Sequence, residues 1–419
     1  MVHKFKCNDR NFILDVPSGS LLEVDDTSFL CFGEDALLED NTDIQELIDK
    51  GIIYTEDKFD NYQLRRGDVP IKALCLNIAQ SCNLRCRYCF AGDGNYGKDE
   101  LMSYETAKSA VDFVVQNSYN RENIEVDFFG GEPLLNWDVI KKTVLYALTI
   151  PNKIFHFTIT TNGILLDDDK MEFINEHMEN LVLSIDGRKE TNDKNRRTKS
   201  GKGTYDILVK NLLKFAKARG DKDYYIRGTY TRDNLDFGED IKHLADLGFK
   251  NISLEHAVSE GQDYSITKDN LQEIFSEYER FSKIYVNSDY NFFHFMLDDA
   301  ASPCTIKRLS GCGAGCEYVA VSPNGDVYPC HQFVGEEHMR LGNLKTGITN
   351  TELQEKIKNI SVLTKKDCKK CWARYYCSGG CHANALHYGD GIDGTHEISC
   401  EIQKKRIECA LYVKANKKS

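Results

Sequence analysis

The sequence predicts an α/β protein: a partial (β/α)6 TIM barrel, preceded by a small α+β domain and followed by a cysteine-rich domain. Three observations carry this. From residue 71, β-rich runs alternate with segments of helical periodicity. Before that point the chain reads as short strands and one short helix. After about residue 300, cysteine and glycine dominate and regular periodicity fades. A chain of 419 residues is long enough for two or three cores.

The elements follow in order. Residues 2–8, 11–16 and 20–24 alternate like short strands, with Ser18, Gly19 and Ser20 as a turn. A helical stretch at 43–50 is ended by Gly51, and the polar segment NYQLRRGDVP links this domain, residues 1–65, to the next. Strand-like runs then occur at 72–79, 124–129, 155–161, 181–186, 224–231 and 251–256. Helical periodicity fills 104–118, 137–148, 168–178, 204–218 and 237–247, the first with Ser103 as N-cap. Repeated βα units imply a parallel sheet with right-handed crossovers. Six units are too few for a complete eight-unit barrel, hence a partial one. With a last helical stretch at 268–287, the barrel is expected over 70–300 and the cysteine-rich domain over 301–419.

Hydrophobic content of 41% and charged content of 28% fit a globular chain. The formal charge of −12 argues against nonspecific nucleic-acid binding, which needs a basic face. No apolar run approaches a membrane span, and the opening MVHKFKCNDR lacks the apolar core of a signal peptide. The expected setting is therefore cytoplasmic, without membrane attachment. Sixteen cysteines there read as metal ligands rather than as a disulfide framework, and eleven fall in 82–89 and 304–381.

The segment SCNLRCRYCF spaces Cys82, Cys86 and Cys89 as Cys-x3-Cys-x2-Cys, directly after the first barrel strand. Thiolates are soft ligands for iron–sulfur clusters or zinc. Three of them leave one iron of a 4Fe–4S cubane open, whereas structural zinc usually recruits four protein ligands. Strand C-terminal ends are also where barrel enzymes build active sites. The spacing, with Phe90 after the last cysteine, resembles the signature of the radical S-adenosylmethionine (SAM) superfamily. FFGGEPLLN at 128–136, TTNG at 160–163 and SIDG at 184–187 extend that resemblance to successive strand ends. It implies a barrel of the radical SAM type and contacts to the SAM amino group near Gly130, Gly131 and Glu132. It also implies contacts from Asn162, Ser184 and Asp186 to the methionine part and ribose, and a pairing of Arg196 with the SAM carboxylate.

The run CKKCWARYYCSGGC gives Cys-x2-Cys-x5-Cys-x3-Cys. Nine thiols from Cys304 to Cys400 exceed one cluster and suit two, with a pair of zinc sites as the structural alternative. The spacing, with Gly325 and Cys330 in GDVYPC, resembles the SPASM extension of radical SAM peptide-modifying enzymes. That resemblance implies two auxiliary 4Fe–4S clusters, hence three in all. Cys368, Cys371, Cys377 and Cys400 would ligate the outer one, and Cys312, Cys330 and Cys381 the inner one. For its fourth ligand Cys316, Cys304 or a substrate thiolate remain open.

The strands and helix of residues 1–65 resemble the RiPP recognition element, a winged-helix-like module that binds leader peptides at a sheet edge; a packing extension of the barrel is the plainer alternative. End to end, the chain resembles the thioether-forming maturases of SCIFF-type peptides (sactipeptide and ranthipeptide maturases). This implies a precursor peptide with a leader and cysteines, and a flavodoxin- or ferredoxin-type electron donor. The 5′-deoxyadenosyl radical would take a hydrogen from an unactivated carbon, a cysteine thiolate would bond there, and the remaining electron would leave through the inner auxiliary cluster. Sulfatase maturases share the architecture, but carry an aspartate base where this chain has His331. His331 and Glu255, at the end of the sixth strand, are the side-chain candidates for catalysis. A radical SAM dehydrogenase or epimerase acting on peptide or protein is the second reading. A non-catalytic multi-zinc protein is the third.

Overall fold

The computed structural model of the chain describes residues 1–32, 42–60, 62, 69–297 and 305–417. Cys304 and most of the polar segment after residue 60 lie outside the described residues. Two compact units emerge: Met1–Arg65 with Ile266–Cys312 and Ile360–Ser419, and Arg66–Ser265 with Gly313–Asn359. The cysteine-rich region is thus shared between them.

The second unit is the α/β barrel. Its six parallel strands are Ala73–Gln80, Asn123–Gly130, Ile154–Thr161, Asn180–Ser184, Tyr225–Tyr230 and Asn251–His256. They lie side by side in sequence order, as βα repeats require. The helices between them are Tyr104–Asn117, Trp137–Ala147, Asp168–His177, Tyr205–Arg219 and Phe237–Asp246. Each matches its periodic segment to within a residue or two. Ser103 caps the first, its hydroxyl accepting from the Thr106 N–H at 3.0 Å.

Alternation within the strands decides which face meets the helices. In the third strand Phe155, Phe157 and Ile159 are buried, while His156, Thr158 and Thr160 are only partly covered. The polar residues therefore line the barrel interior, where a ligand rather than a helix can face them. One strand was not legible: Tyr318–Val321 runs parallel to Ala73–Leu76 and extends the sheet beyond the first barrel strand. Four residues inside a glycine- and cysteine-rich stretch carry too short a period to read as a strand.

In the first unit, strands Val2–Cys7, Arg10–Asp15 and Leu21–Val24 form an antiparallel sheet. A five-residue helix, Asp26–Leu30, follows; Asp25 caps it. Helix Thr42–Asp49 buries Ile44 against Ile13, Phe32 and Ile53. Gly51, at φ +65°, turns the chain out of that helix. The sheet does not stand alone. Phe12 packs edge-on against Tyr412 in the long helix Glu397–Asn416, and His3 stacks on Trp372 at 3.8 Å. Asp57 accepts from the Tyr375 hydroxyl at 2.6 Å and pairs with Arg374, all three largely buried. Among the described residues, no helix is long and apolar enough to cross a membrane.

Burial pushes the Asp57 carboxyl up, but bonds from Tyr375, the Phe59 N–H and Arg374 outweigh it and hold the group below its usual range. Its contribution to stability is therefore present near neutrality and lost as pH falls through the depressed value. Asp57→Ala removes the nearer carboxylate of buried Arg374 and leaves it only the exposed Asp60 at 3.4 Å, a loss of about 1–3 kcal/mol. The expected outcome is a lower midpoint for the thermal transition of the anaerobic protein. The difference from the unsubstituted chain should shrink at acidic pH, and an unchanged midpoint at pH 7 would show the pair to be idle.

Candidate functional site

The first barrel strand ends at Gln80, and the chain passes at once into the thiol segment. Cys82 is buried; Cys86 and Cys89 are half-buried. A short strand, Leu84–Cys86, pairs antiparallel with Arg196–Thr198, and its register sets Arg196 opposite Cys86. Burial pushes the Cys82 thiol up to about 11 and the Cys86 thiol up to about 12. Iron would displace those protons on binding.

The glycine-rich turn after the second strand presses directly on this loop. The Gly131 N–H donates to the Ala79 carbonyl at 2.7 Å, and the Glu132 N–H to the Ser81 carbonyl at 2.8 Å. A Cβ on Gly131 would lie 2.1 Å from the Gly94 carbonyl oxygen and 2.3 Å from that of Ser81. Gly130, at φ +139°, leaves no room for one either. Only glycine lets the backbones approach this closely.

The resemblance assigns the backbone near Glu132 to the cofactor; the Glu132 side chain has a structural task. Its buried carboxylate accepts from the Leu134 N–H at 3.0 Å, the Thr161 hydroxyl at 2.7 Å and the Asn162 N–H at 2.8 Å. It thereby joins the ends of the second and third strands. Asn162 in turn donates to the Asn83 side chain at 2.8 Å, next to Cys82. Asn136 donates to the Ile78 and Met102 carbonyls, at 2.9 and 2.8 Å, and pins the turn from below.

Asp186 is fully buried just beyond the fourth strand. The Tyr88 hydroxyl donates to its carboxylate at 2.7 Å, and the Thr229 N–H at 3.1 Å. Arg196 donates to the same Tyr88 oxygen at 2.8 Å and lies 3.6 Å from Asp186. Burial raises the Asp186 carboxyl to about 6, with Arg196 and Tyr88 opposing. Tyr88, which no motif marks in the sequence, sits between Cys86 and Cys89. Arg196 keeps one buried donor, Nε, without a partner. Ser184 is half-buried at the end of its strand.

These observations fit the iron–sulfur cluster and SAM that the motif implies. The three thiols share one loop, the glycines leave a cradle that any Cβ would fill, and Arg196 retains an unused donor.

Further down the barrel interior, Asp127 is deeply enclosed with one carboxylate oxygen unbonded, and burial raises its carboxyl to about 7. His331 lies against the Phe129 ring at 4.5 Å and the half-exposed Phe90 ring at 5.7 Å. Its Nδ1 is 3.1 Å from the Tyr318 hydroxyl, which fixes the ring plane. Burial, helped by Arg227, lowers the His331 imidazole to about 4. Glu255 ends the sixth strand with the His256 ring 3.9 Å away.

Of the remaining thiols, Cys316 and Cys330 belong to the barrel unit, and Cys312 and Cys381 to the first unit. Cys368, Cys371, Cys377 and Cys400 all lie in the first unit. A short 3-10 turn carries Cys368, and Cys371 follows it, its N–H donating to the Cys368 carbonyl at 3.1 Å. Cys377 ends the helix Arg374–Cys377 and Cys400 occupies the first turns of Glu397–Asn416. Burial raises the Cys368 thiol to about 12 and the Cys400 thiol to about 11, and the other thiols of the set add to both shifts. The four lie in one unit, near enough for their charges to act on one another, although among the described residues no three His, Cys, Asp or Glu side chains stand close enough to hold a single metal ion.

A model of the radical SAM superfamily matches residues 76–247, and one of the iron–sulfur cluster-binding SPASM domain matches residues 312–372. The uncharacterized protein MJ0907 of Methanocaldococcus jannaschii is 32% identical over 73% of this chain and 96% of its own. The radical SAM cyclopropyl synthase TigE of Paramaledivibacter caminithermalis is 25% identical over 88% of this chain and 82% of its own. A cysteine-type anaerobic sulfatase-maturating enzyme of Clostridium perfringens is 26% identical over 74% of this chain and 89% of its own. Among solved structures, native anSMEcpe with bound AdoMet and the Kp18Cys peptide superposes with a TM-score of 0.67. It is 23% identical, and the match covers 82% of this chain and 98% of that one.

Gly131→Ala forces the Gly94 and Ser81 backbones outward by about an ångström, and a displacement of that size in a catalytic array costs on the order of 100-fold. Release of 5′-deoxyadenosine under reducing conditions should fall by that factor. Bound iron should stay near the unsubstituted level, because no thiol is removed. Unaltered release would mean that the turn does not shape the cofactor site.

Proposed function

We propose that this chain, which belongs to the radical SAM superfamily and carries an iron–sulfur cluster-binding SPASM domain, installs thioether crosslinks in a ribosomally made peptide. The chain is an enzyme whose cofactors are SAM, a 4Fe–4S cluster and auxiliary iron–sulfur clusters. Bound together and reduced, SAM and its cluster supply a 5′-deoxyadenosyl radical that abstracts hydrogen from carbon.

The chain's own residues supply place and exclusion. Cys82, Cys86 and Cys89 would hold three irons of the first cluster and leave the fourth for SAM. The Gly130–Gly131 backbone and Arg196 Nε line the cradle beside them. The single observation that carries the reading of substrate chemistry is the setting of His331. Its ring is held by Phe129, Phe90 and the Tyr318 hydroxyl, directly after Cys330 in the sequence. There, kept neutral by burial, it would accept the proton of a substrate cysteine thiol, the step that must precede bonding of sulfur to carbon. Glu255 would help orient the peptide from the sixth strand.

A peptide or protein substrate accords with the relatives. The Clostridium perfringens protein is named for sulfatase maturation, and anSMEcpe is seen with a bound Kp18Cys peptide. Those names also favour the second reading, a dehydrogenase acting on a cysteine side chain. The sheet of residues 2–24, with Leu21–Val24 on its edge, is the surface proposed for the leader. A flavodoxin- or ferredoxin-type protein is the proposed electron donor.

The test is mass spectrometry of a cysteine-containing precursor peptide after anaerobic turnover with SAM. Thioether formation predicts a loss of two hydrogens for each link, with the same cysteines no longer alkylated. Thiols that remain open to alkylation would reject it, and an aldehyde in place of a cysteine side chain would establish the dehydrogenase. His331→Ala should cut product at least about 100-fold, within the usual range for a lost proton acceptor. Uncoupled release of 5′-deoxyadenosine should persist in that variant.

A further inference from the structure

Lys365 is only 3% exposed, although it lies in the strongly basic run TKKDCKK. Its ammonium donates to the Gly379 carbonyl and to the Gly394 carbonyl, each at 2.8 Å. Among the described residues, no carboxylate lies within ion-pairing distance of it. An enclosed cation answered only by two neutral carbonyls is costly unless a negative charge stands nearby.

The surroundings show where that charge would be. Gly379 follows Cys377 by two residues, and Gly394 belongs to the loop that leads to Cys400. Lys365 and Cys368 share one helical turn, the Lys369 N–H donating to the Lys365 carbonyl at 3.2 Å. A Cβ on Gly379 would stand 3.3 Å from Val362 Cγ1 and 3.8 Å from Lys365 Cδ, so the glycine leaves room for the lysine stem. Lys404, another lysine whose charge reaches Cys400, is 35% exposed and already paired with Glu401 at 2.7 Å. Its field is largely screened.

We propose that Lys365 is the counter-charge of the outer auxiliary cluster, holding that anionic cluster in the protein and making it easier to reduce. The proposal rests on the reading of Cys368, Cys371, Cys377 and Cys400 as its ligands. A four-thiolate cluster is anionic and becomes more so when it accepts one electron. A fixed positive charge beside it favours the reduced form, and net charge is one of the factors that set such potentials. Lys365 is therefore a positioning and tuning residue; it does not touch the reacting atoms.

The experiment compares the full chain with Lys365→Met, Lys365→Arg and Cys400→Ala, all reconstituted anaerobically. Iron is counted, and each cluster is titrated with dithionite by electron paramagnetic resonance. Cys400→Ala tests the ligand reading by itself: full iron with unaltered spectra would end that reading and leave the lysine question moot. With the ligands upheld, Lys365→Met should make reduction of one cluster at least about tenfold less favourable, some 59 mV more negative for one electron. Lys365→Arg should stay near the parent value. If Lys365→Met fails to retain the cluster while Lys365→Arg retains it, the charge is again what matters. Loss of the cluster in both variants would assign a purely steric role and overturn the proposal. So would a fully loaded Lys365→Met with every potential unchanged.

Discussion

The buried carboxylate of Asp186 is the tie on which the candidate site depends. It receives the Tyr88 hydroxyl from the thiol loop and the Thr229 N–H from the fifth strand, with Arg196 3.6 Å away. Three stretches of chain, around Tyr88, Asp186 with Arg196, and Thr229, meet at one side chain. The bonds offset part of the cost of enclosing a carboxylate, whose carboxyl burial still raises, and a partner left alone would cost several kcal/mol more. Together these bonds hold the loop of Cys82, Cys86 and Cys89 in one position against the strand ends. A short, mostly irregular loop reading CNLRCRYC could not hold such a position by its own propensities.

The barrel was legible because its periods are strong. Runs such as FHFTITT alternate cleanly, and the apolar half faces helices whose own pattern is equally regular. The thiol spacing was legible for a different reason: ligands of one cluster must be local when they share one loop. What stayed hidden depends on contacts distant in sequence. Nothing local in RRT at 196–198 indicates that it pairs with LRC at 84–86. Nothing in YVAV at 318–321 shows that it adds a strand beside Ala73–Leu76. Glu132 and Asp186 were recognised as important from their motifs. Their hydrogen bonds show them first as braces between strand ends, and only through those braces as parts of a cofactor site.

The amino-terminal sheet gives a similar lesson about domains. Its strands and helix were readable one by one, yet Phe12 packs on Tyr412, and Asp57 on Arg374 and Tyr375, more than 300 residues away. A segment that looks separable in sequence shares its core with the end of the chain. Removing residues 1–65 would therefore expose apolar surface as well as remove the proposed leader site. A change in peptide binding after such a truncation would report on folding as much as on recognition.

The two thiol groups that can be described within single units differ in a way that follows from their tasks. As proposed, Cys82, Cys86 and Cys89 at the barrel mouth would leave one position of a cubane free, which suits a cluster that must also bind a small molecule. Cys368, Cys371, Cys377 and Cys400 would close the other, which suits a cluster that only carries electrons. Both groups sit in a chain of net charge −12, which would disfavour gathering more negative charge at either place. Each is nevertheless supplied with a buried cation, Arg196 at the first and Lys365 at the second. Arg196 keeps a donor free for a ligand, whereas Lys365 commits itself to backbone carbonyls that fix the loops around it. A guanidinium with several directed donors can bind and hold at once; an ammonium enclosed by carbonyls acts mainly as a point charge. The choice of cation thus parallels the choice of three thiols or four: an open site that must recognise a molecule, and a closed one that need only hold a charge.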